Sequence, residues 1–277
     1  MNLPLAHVIE AFEKLWPTHL AEDWDVVGLV SGSPNQTISK VMLTVDVTHE
    51  VVQQAKDSKA NLILAHHPLM LRGVSSLPED SSKGSVIANI IRADIALYSA
   101  HTNADSVSSG TSAVLADAIG LKNAQVLSPA ADAGLGIGIK GELDQGIPLS
   151  ELATRLLSVL PQTASGIRVA GEYDRVVKTV ALCAGAGDSY LELALNSGSD
   201  VFITSDLRHH RAQETLEEAK ARGLDFSLVD ISHWAAEFLW LAKAKEQLSI
   251  ELPELEFEVC DIRTDVFEFL MNKPKEE

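Results

Sequence analysis

Short runs of β-branched and leucine residues alternate along the chain with segments whose apolar positions recur every three or four residues. Such alternation is the signature of strands and amphipathic helices in βαβ order. Residues 5–16 carry the helical spacing and stop at Pro17, a helix breaker. Residues 40–47, 61–65 and 95–99 read as strands, with helices over 50–59, 86–92 and 111–119. The same alternation returns later. Residues 149–160, 190–196, 212–222 and 234–248 read as helices, and 176–184, 201–204 and 226–231 as strands. Short apolar strands joined by helical crossovers predict an α/β fold with mostly parallel sheets covered on their faces. Between the two alternating regions, residues 128–146 turn to Ala, Gly, Asp and Pro, which marks a boundary. The expected division is a first lobe over 1–127 and a second over 128–277.

The two regions can be laid over one another. The strand at 40 followed by the strand ending His66-His67-Pro68 matches the strand at 178 followed by the strand ending Ser205-Asp206. The next strand ends at His101 with Asp105 four residues on, and its counterpart ends at His233 with Glu237 four residues on. Open α/β sheets place their sites beyond the carboxyl ends of the strands. Two similar lobes facing a shared metal cleft are therefore expected.

The residue types at these strand ends point to metal binding. Imidazole and carboxylate donors together suit Zn, Mn, Fe, Co or Ni, and no cysteine stands near them to suggest a closed structural zinc site. His66, His67, Asp105, His233 and Glu237 are the candidate ligands. His66 and His67 are adjacent in an extended segment and point opposite ways, which suits two metals, or one metal and a bend. Asp105 has a second reading as a cap for the helix at Thr111, and His101 a second reading as a residue that orients a ligand. The run Ser205-Asp206-Leu207-Arg208-His209-His210 places cations and imidazoles at an equivalent strand end, to hold a phosphate or supply a proton, unless Asp206 simply caps a helix. His101 and His209 are the candidate proton donors. Gly185-Ala186-Gly187-Asp188 follows a strand and precedes a helix, as in phosphate-binding turns, but lacks the third glycine of a dinucleotide fingerprint. Gly134, Gly136, Gly138 and Gly141 suit an edge strand or hairpin.

Composition narrows the function classes. With 22 Lys and Arg against 39 Asp and Glu, the net charge of -17 argues against nucleic acid and anionic membrane as partners. Cys183 and Cys260 are the two cysteines, which fits a reducing cytoplasm better than a disulfide framework. The first residues carry no cationic stretch leading into an apolar one, so a cytoplasmic protein is expected.

Trp24-Asp25-Val26-Val27-Gly28-Leu29, the strand ending His66-His67-Pro68-Leu69, His101-Thr102-Asn103-Ala104-Asp105, Thr204-Ser205-Asp206 and His233 with Glu237 occur in one order over residues 5–265. In this the chain resembles the GTP cyclohydrolase I type 2 homologue family, also called NIF-three-like or YbgI-like proteins. The resemblance implies two similar α/β lobes, a dimetal centre on His66, His67, Asp105, His233 and Glu237 with His101 close by, and a toroidal homohexamer built as a trimer of dimers. Val26, Ser205, and Ile139 beside Lys140 depart from that family's pattern, and none is a candidate ligand. The expected function is a dimetal hydrolase acting on a small molecule or nucleotide. The alternative is a metal-binding chaperone, regulator or interaction protein without catalysis.

Overall fold

The structure is a computed structural model that describes residues 2–271, so the outermost residues of both expected lobes, 1 and 272–277, lie outside it. The chain forms two compact units: Met1–Gly110 with Trp240–Thr264, and Thr111–Leu239 with Asp265–Glu277. Composition set the expected division at residue 128. The structure divides elsewhere because 128–146 lies within a hairpin hydrogen-bonded into the second unit's sheet.

The first unit runs β1 (Leu3–Pro4), α1 (Leu5–Leu15), β2 (Gly28–Ser31), β3 (Thr37–Ile38), β4 (Lys40–Thr44), α2 (His49–Asp57), β5 (Leu62–Ala65), α3 (Ser82–Arg92), β6 (Ala96–Ser99) and α4 (Thr102–Asp105). The second runs α5 (Thr111–Ala118), β7 (Lys122–Pro129), β8 (Gly136–Pro148), α6 (Leu149–Val159), β9 (Arg168–Ala170), β10 (Val176–Ala186), α7 (Leu191–Asn196), β11 (Val201–Ser205), α8 (His209–Ala221), β12 (Ser227–Asp230) and the start of α9 (His233–Glu251). The rest of α9 and β13 (Glu256–Val259) belong to the first unit.

The first unit's sheet has the order β13-β4-β5-β6-β2, parallel throughout except for β2 at its edge. Strand side chains alternate between faces. Met42, Ile63 and Leu97 therefore face Val51, Ala55, Val86 and Ile90 of α2 and α3 in one buried cluster. Among their neighbours in sequence, Tyr98 meets Phe12 of α1 edge-on at 4.9 Å, and Trp16 meets Trp240 at 5.2 Å and 64°. Side-chain caps start the covering helices: Thr48 Oγ1 accepts from Val51 N, and Ser81 Oγ accepts from Gly84 N.

The second sheet has the order β7-β8-β10-β11-β12-β9, with a parallel centre of β10, β11 and β12 and antiparallel flanks. Val201, Ile203 and Val229 pack with Leu115 of α5 and Leu152 of α6. Phe202 and Leu228, one step along the same strands, pack with Leu191 of α7 and Ala219 of α8. Both faces are covered, as the apolar strands required. The glycine run forms the β7–β8 hairpin, where Gly136 adopts a φ of 146° and a side chain would meet Ser128 O at 2.1 Å. Helix α8 begins three residues earlier than its apolar spacing suggests, and Thr102–Asp105 form one helical turn.

Phe12 is fully buried between Trp16 and Tyr98. Phe12→Ala should destabilise the protein by about 3 to 5 kcal/mol, read from the shift in urea midpoint. A loss below about 1 kcal/mol would contradict this packing.

Candidate metal-binding site

Three parallel strands end side by side in the first unit. His66 N donates to Thr44 O at 2.9 Å, His67 N to Val45 O at 2.8 Å, and Ala100 N to Ala65 O at 2.9 Å, so the ladder runs one step past β4, β5 and β6. That extension sets Asp46, His66, His67 and His101 at neighbouring strand ends. Ring centroids lie 5.2 Å apart for His66 and His67, 5.3 Å for His66 and His101, and 5.6 Å for His67 and His101. One nitrogen from each of these three rings falls within 4.8 Å of the others. His66 is fully buried, with Trp240 at 5.3 Å on one side.

Each ring has one nitrogen committed to a group that can only accept a hydrogen bond. His66 Nδ1 donates to Ala100 O at 2.9 Å, His67 Nδ1 to Asp46 Oδ1 at 2.8 Å, and His101 Nδ1 to Asp25 Oδ2 at 2.9 Å. Acceptor-only partners require the proton on Nδ1, so Nε2 is the atom each ring offers a cation. The acceptors are themselves held. Thr264 Oγ1 donates to Asp46 Oδ2 at 2.5 Å, and Asp25 Oδ2 also accepts from Thr102 N at 3.1 Å and Thr102 Oγ1 at 2.6 Å. Burial pushes the Asp25 carboxyl up, but the bonds from His101 and Thr102 outweigh it and hold the pKa below the usual 3.8.

Asp105 ends the single turn of α4, with Oδ1 3.7 Å from His66 Nε2. It does not cap α5. His101 N donates to Asn103 Oδ1 at 2.9 Å, and Asn103 Nδ2 donates to Trp16 O at 2.7 Å, which fixes the turn. Gly110 makes room for it, since a side chain there would meet Ala104 O at 2.4 Å and Asp105 O at 2.6 Å.

In the second unit, His233 and Glu237 lie one turn apart at the start of α9, with Nε2 and Oε1 separated by 3.0 Å. His233 Nδ1 donates to Asp206 Oδ2 at 2.7 Å. The N-cap residue of α8 is Arg208, which makes no side-chain cap bond, and Asp206 sits in the left-handed region at φ 57°. A residue other than glycine there carries strain, which its bond to His233 explains. Burial disfavours a charged His233, but Glu237 and Asp206 outweigh it and raise its pKa to about 11. The position draws positive charge, and a divalent cation is the stronger claimant.

Gly185, expected in a phosphate turn, has another task. At φ 79°, a side chain there would lie 2.4 Å from Glu237 Oε1 and 3.5 Å from His233 Nε2. Its bareness admits the donor pair. Gly187 does the same for Thr204, whose Oγ1 would stand 2.3 Å from an added side chain. Asp188 pairs with Arg208, and His209 and His210 are exposed on the first turn of α8 with ring centroids 5.2 Å apart. Nitrogen and oxygen donors without thiolate fit a divalent transition metal, as the residue types suggested.

The sequence matches the family described as Duf34/NIF3 (NGG1p interacting factor 3) over residues 3–266. The chain belongs to this family. Among Duf34/NIF3 relatives, a Streptomyces coelicolor protein named GTP cyclohydrolase 1 type 2 homolog is 41% identical over 247 residues, covering 88% of this chain and 85% of its own. A solved Staphylococcus aureus protein has a TM-score of 0.85 at 28% identity, covering 96% of this chain and 99% of its own. A Bacillus cereus protein related to NIF3 shares the fold at a TM-score of 0.89 and 24% identity, over 97% of this chain and 99% of its own. Among the described residues of this Duf34/NIF3 chain no helix is long and apolar enough to cross a membrane.

Spacing alone missed the three carboxylates that hold the rings. Asp46 was legible in principle, as an acid just past the parallel strand beside His67. Asp25 comes from a loop that only the fold brings to His101.

Removing Asp46 in an Asp46→Ala variant should weaken metal uptake about 10- to 100-fold with the fold retained, measured by competition with a chelating dye. Gly185→Ala should expel Glu237 from its place and lower metal content per chain by elemental mass spectrometry. Unchanged content would mean that this close approach is not what orders the pair.

Proposed function

We propose that the chain is a dimetal hydrolase acting on a small molecule or nucleotide, with two divalent ions per chain. Its ligands are His66, His67, Asp105, His233 and Glu237. One observation supports this above the others: three imidazoles with nitrogens within 4.8 Å, each with Nδ1 committed to an acceptor. Bound divalent ions supply Lewis acidity to hydrolysis. Asp25, Asp46 and Asp206 keep the proton on Nδ1 of His101, His67 and His233. His101 is the proposed proton donor, acting at Nε2 with its ring oriented by Asp25. His209, exposed at the start of α8, is the second. The working form is a cytoplasmic toroidal homohexamer, a trimer of dimers, without membrane or nucleic-acid partners. The names of the curated relatives make GTP the first substrate to test.

Untagged protein purified without chelator should carry about two equivalents of Zn, Fe, Mn, Co or Ni per chain by elemental mass spectrometry. His66→Ala should lose that metal and all hydrolysis of GTP or of the substrate a hydrolase screen identifies, while its circular dichroism is unchanged. Metal without turnover on any substrate would favour the metal-handling alternative. No metal, and none taken up on reconstitution, would overturn both readings.

A further inference from the structure

A cavity of about 400 Å³ lies in the second unit. Val169 and Ala170 of β9, Leu228 of β12, Leu207, and Ala212 and Leu216 of α8 form its walls. It is within the size range of small-molecule pockets, which are mostly apolar with a few placed polar groups. It lies between α8 and the paired edge strands β12 and β9 of the sheet.

The polar groups that line it are Arg168, Asp230, His209 and Gln213. The Arg168 side chain is 71% exposed. Its partner Asp230 is 9% exposed, and takes Leu207 N on Oδ1 at 3.4 Å while Arg168 binds Oδ2. Asp230 thus anchors a guanidinium at the mouth of an apolar pocket while staying out of solvent itself. The first turn of α8, which holds His209, contains no acidic residue to offset the helix dipole. In a chain of net charge -17, the exposed guanidinium of Arg168 beside an apolar pocket offers an anion a local donor fork, with its partner carboxylate turned out of solvent.

We infer that this cavity binds a small molecule with a flat apolar body and one anionic group, the body against the leucine and valine walls and the anion on Arg168. A planar fork of N–H donors suits a phosphate, sulfonate or carboxylate. His209 is the one lining residue with a part in the proposed hydrolysis, and the test leaves it unchanged. The cavity is lined by residues of the second unit, and none is a proposed metal ligand.

The probe is naphthalene-1-sulfonate, which has this shape and cannot be hydrolysed as a phosphoester, with naphthalene-1-sulfonamide as its neutral counterpart. Calorimetric titration of the full chain should show one saturable site that prefers the sulfonate by about tenfold. Arg168→Gln should abolish the preference while leaving sulfonamide binding as in the wild type. Ala212→Trp, which fills the cavity, should abolish binding of both probes. Both variants should keep the metal content of the parent, so failure of the metal reading is scored separately. Equal affinity of the parent protein for the two probes, a preference for the sulfonate that survives Arg168→Gln, or binding of either probe that survives Ala212→Trp, would overturn the inference. If Arg168→Gln does not fold, Ala212→Trp and the paired probes on the parent protein decide it.

Discussion

A histidine beside a metal has two nitrogens and two tautomers, and binding requires that the ring present the correct one without search. Here the fold settles this before any cation arrives. His66 gives its Nδ1 proton to a main-chain carbonyl, and His67, His101 and His233 give theirs to Asp46, Asp25 and Asp206. A carboxylate on the far nitrogen also makes the ring a stronger donor. The cost is the burial or strain of those acids. Asp25 is held ionised despite desolvation, and Asp206 occupies the left-handed region. Both are tolerated because the imidazole on the other end of the bond needs them.

The strand architecture explains why these partners are in reach. Parallel strands bring all their carboxyl ends to one edge of a sheet, so residues far apart in sequence become neighbours at a fixed spacing. Asp46, His66 and His101 follow β4, β5 and β6, three adjacent strands of one sheet. Glycines then remove the steric barriers to close approach. Gly110 admits the turn that carries Asp105, and Gly185 admits the carboxylate of Glu237. A fold with antiparallel strands here would deliver alternate strands to opposite edges and scatter the same residues.

Much of this was legible from the chain alone, for a physical reason. Buried central strands such as β5 and β11 are buried at every position and open on apolar runs, and their covering helices keep the three-to-four spacing, so both announce themselves. The edge strands did not. β9, with three residues, and β13, whose sequence Glu-Phe-Glu-Val alternates between sheet and solvent, carry too little apolar content to stand out. Domain limits were also hidden, because glycine and alanine in 128–146 serve a twisted hairpin and not a linker. The donors were readable because His66-His67, His101 with Asp105, and His233 with Glu237 are local patterns. Their supports were not, because Asp25 to His101 spans 76 residues and Asp206 to His233 spans 27.

Charge connects the donor groups to the rest of the molecule. An acidic chain offers a divalent cation a favourable field, and it places acids on both sides of His233, whose affinity for a proton rises accordingly. The same excess of acid would repel an anionic substrate from most of the surface. Any anion handled by this protein therefore needs a local source of positive charge. Bound divalent ions are one such source and the guanidinium of Arg168, held in place by Asp230, is another. With both proposals in place, an acidic protein would have two confined places that accept negative charge, and the repulsion of its remaining surface would disfavour polyanions.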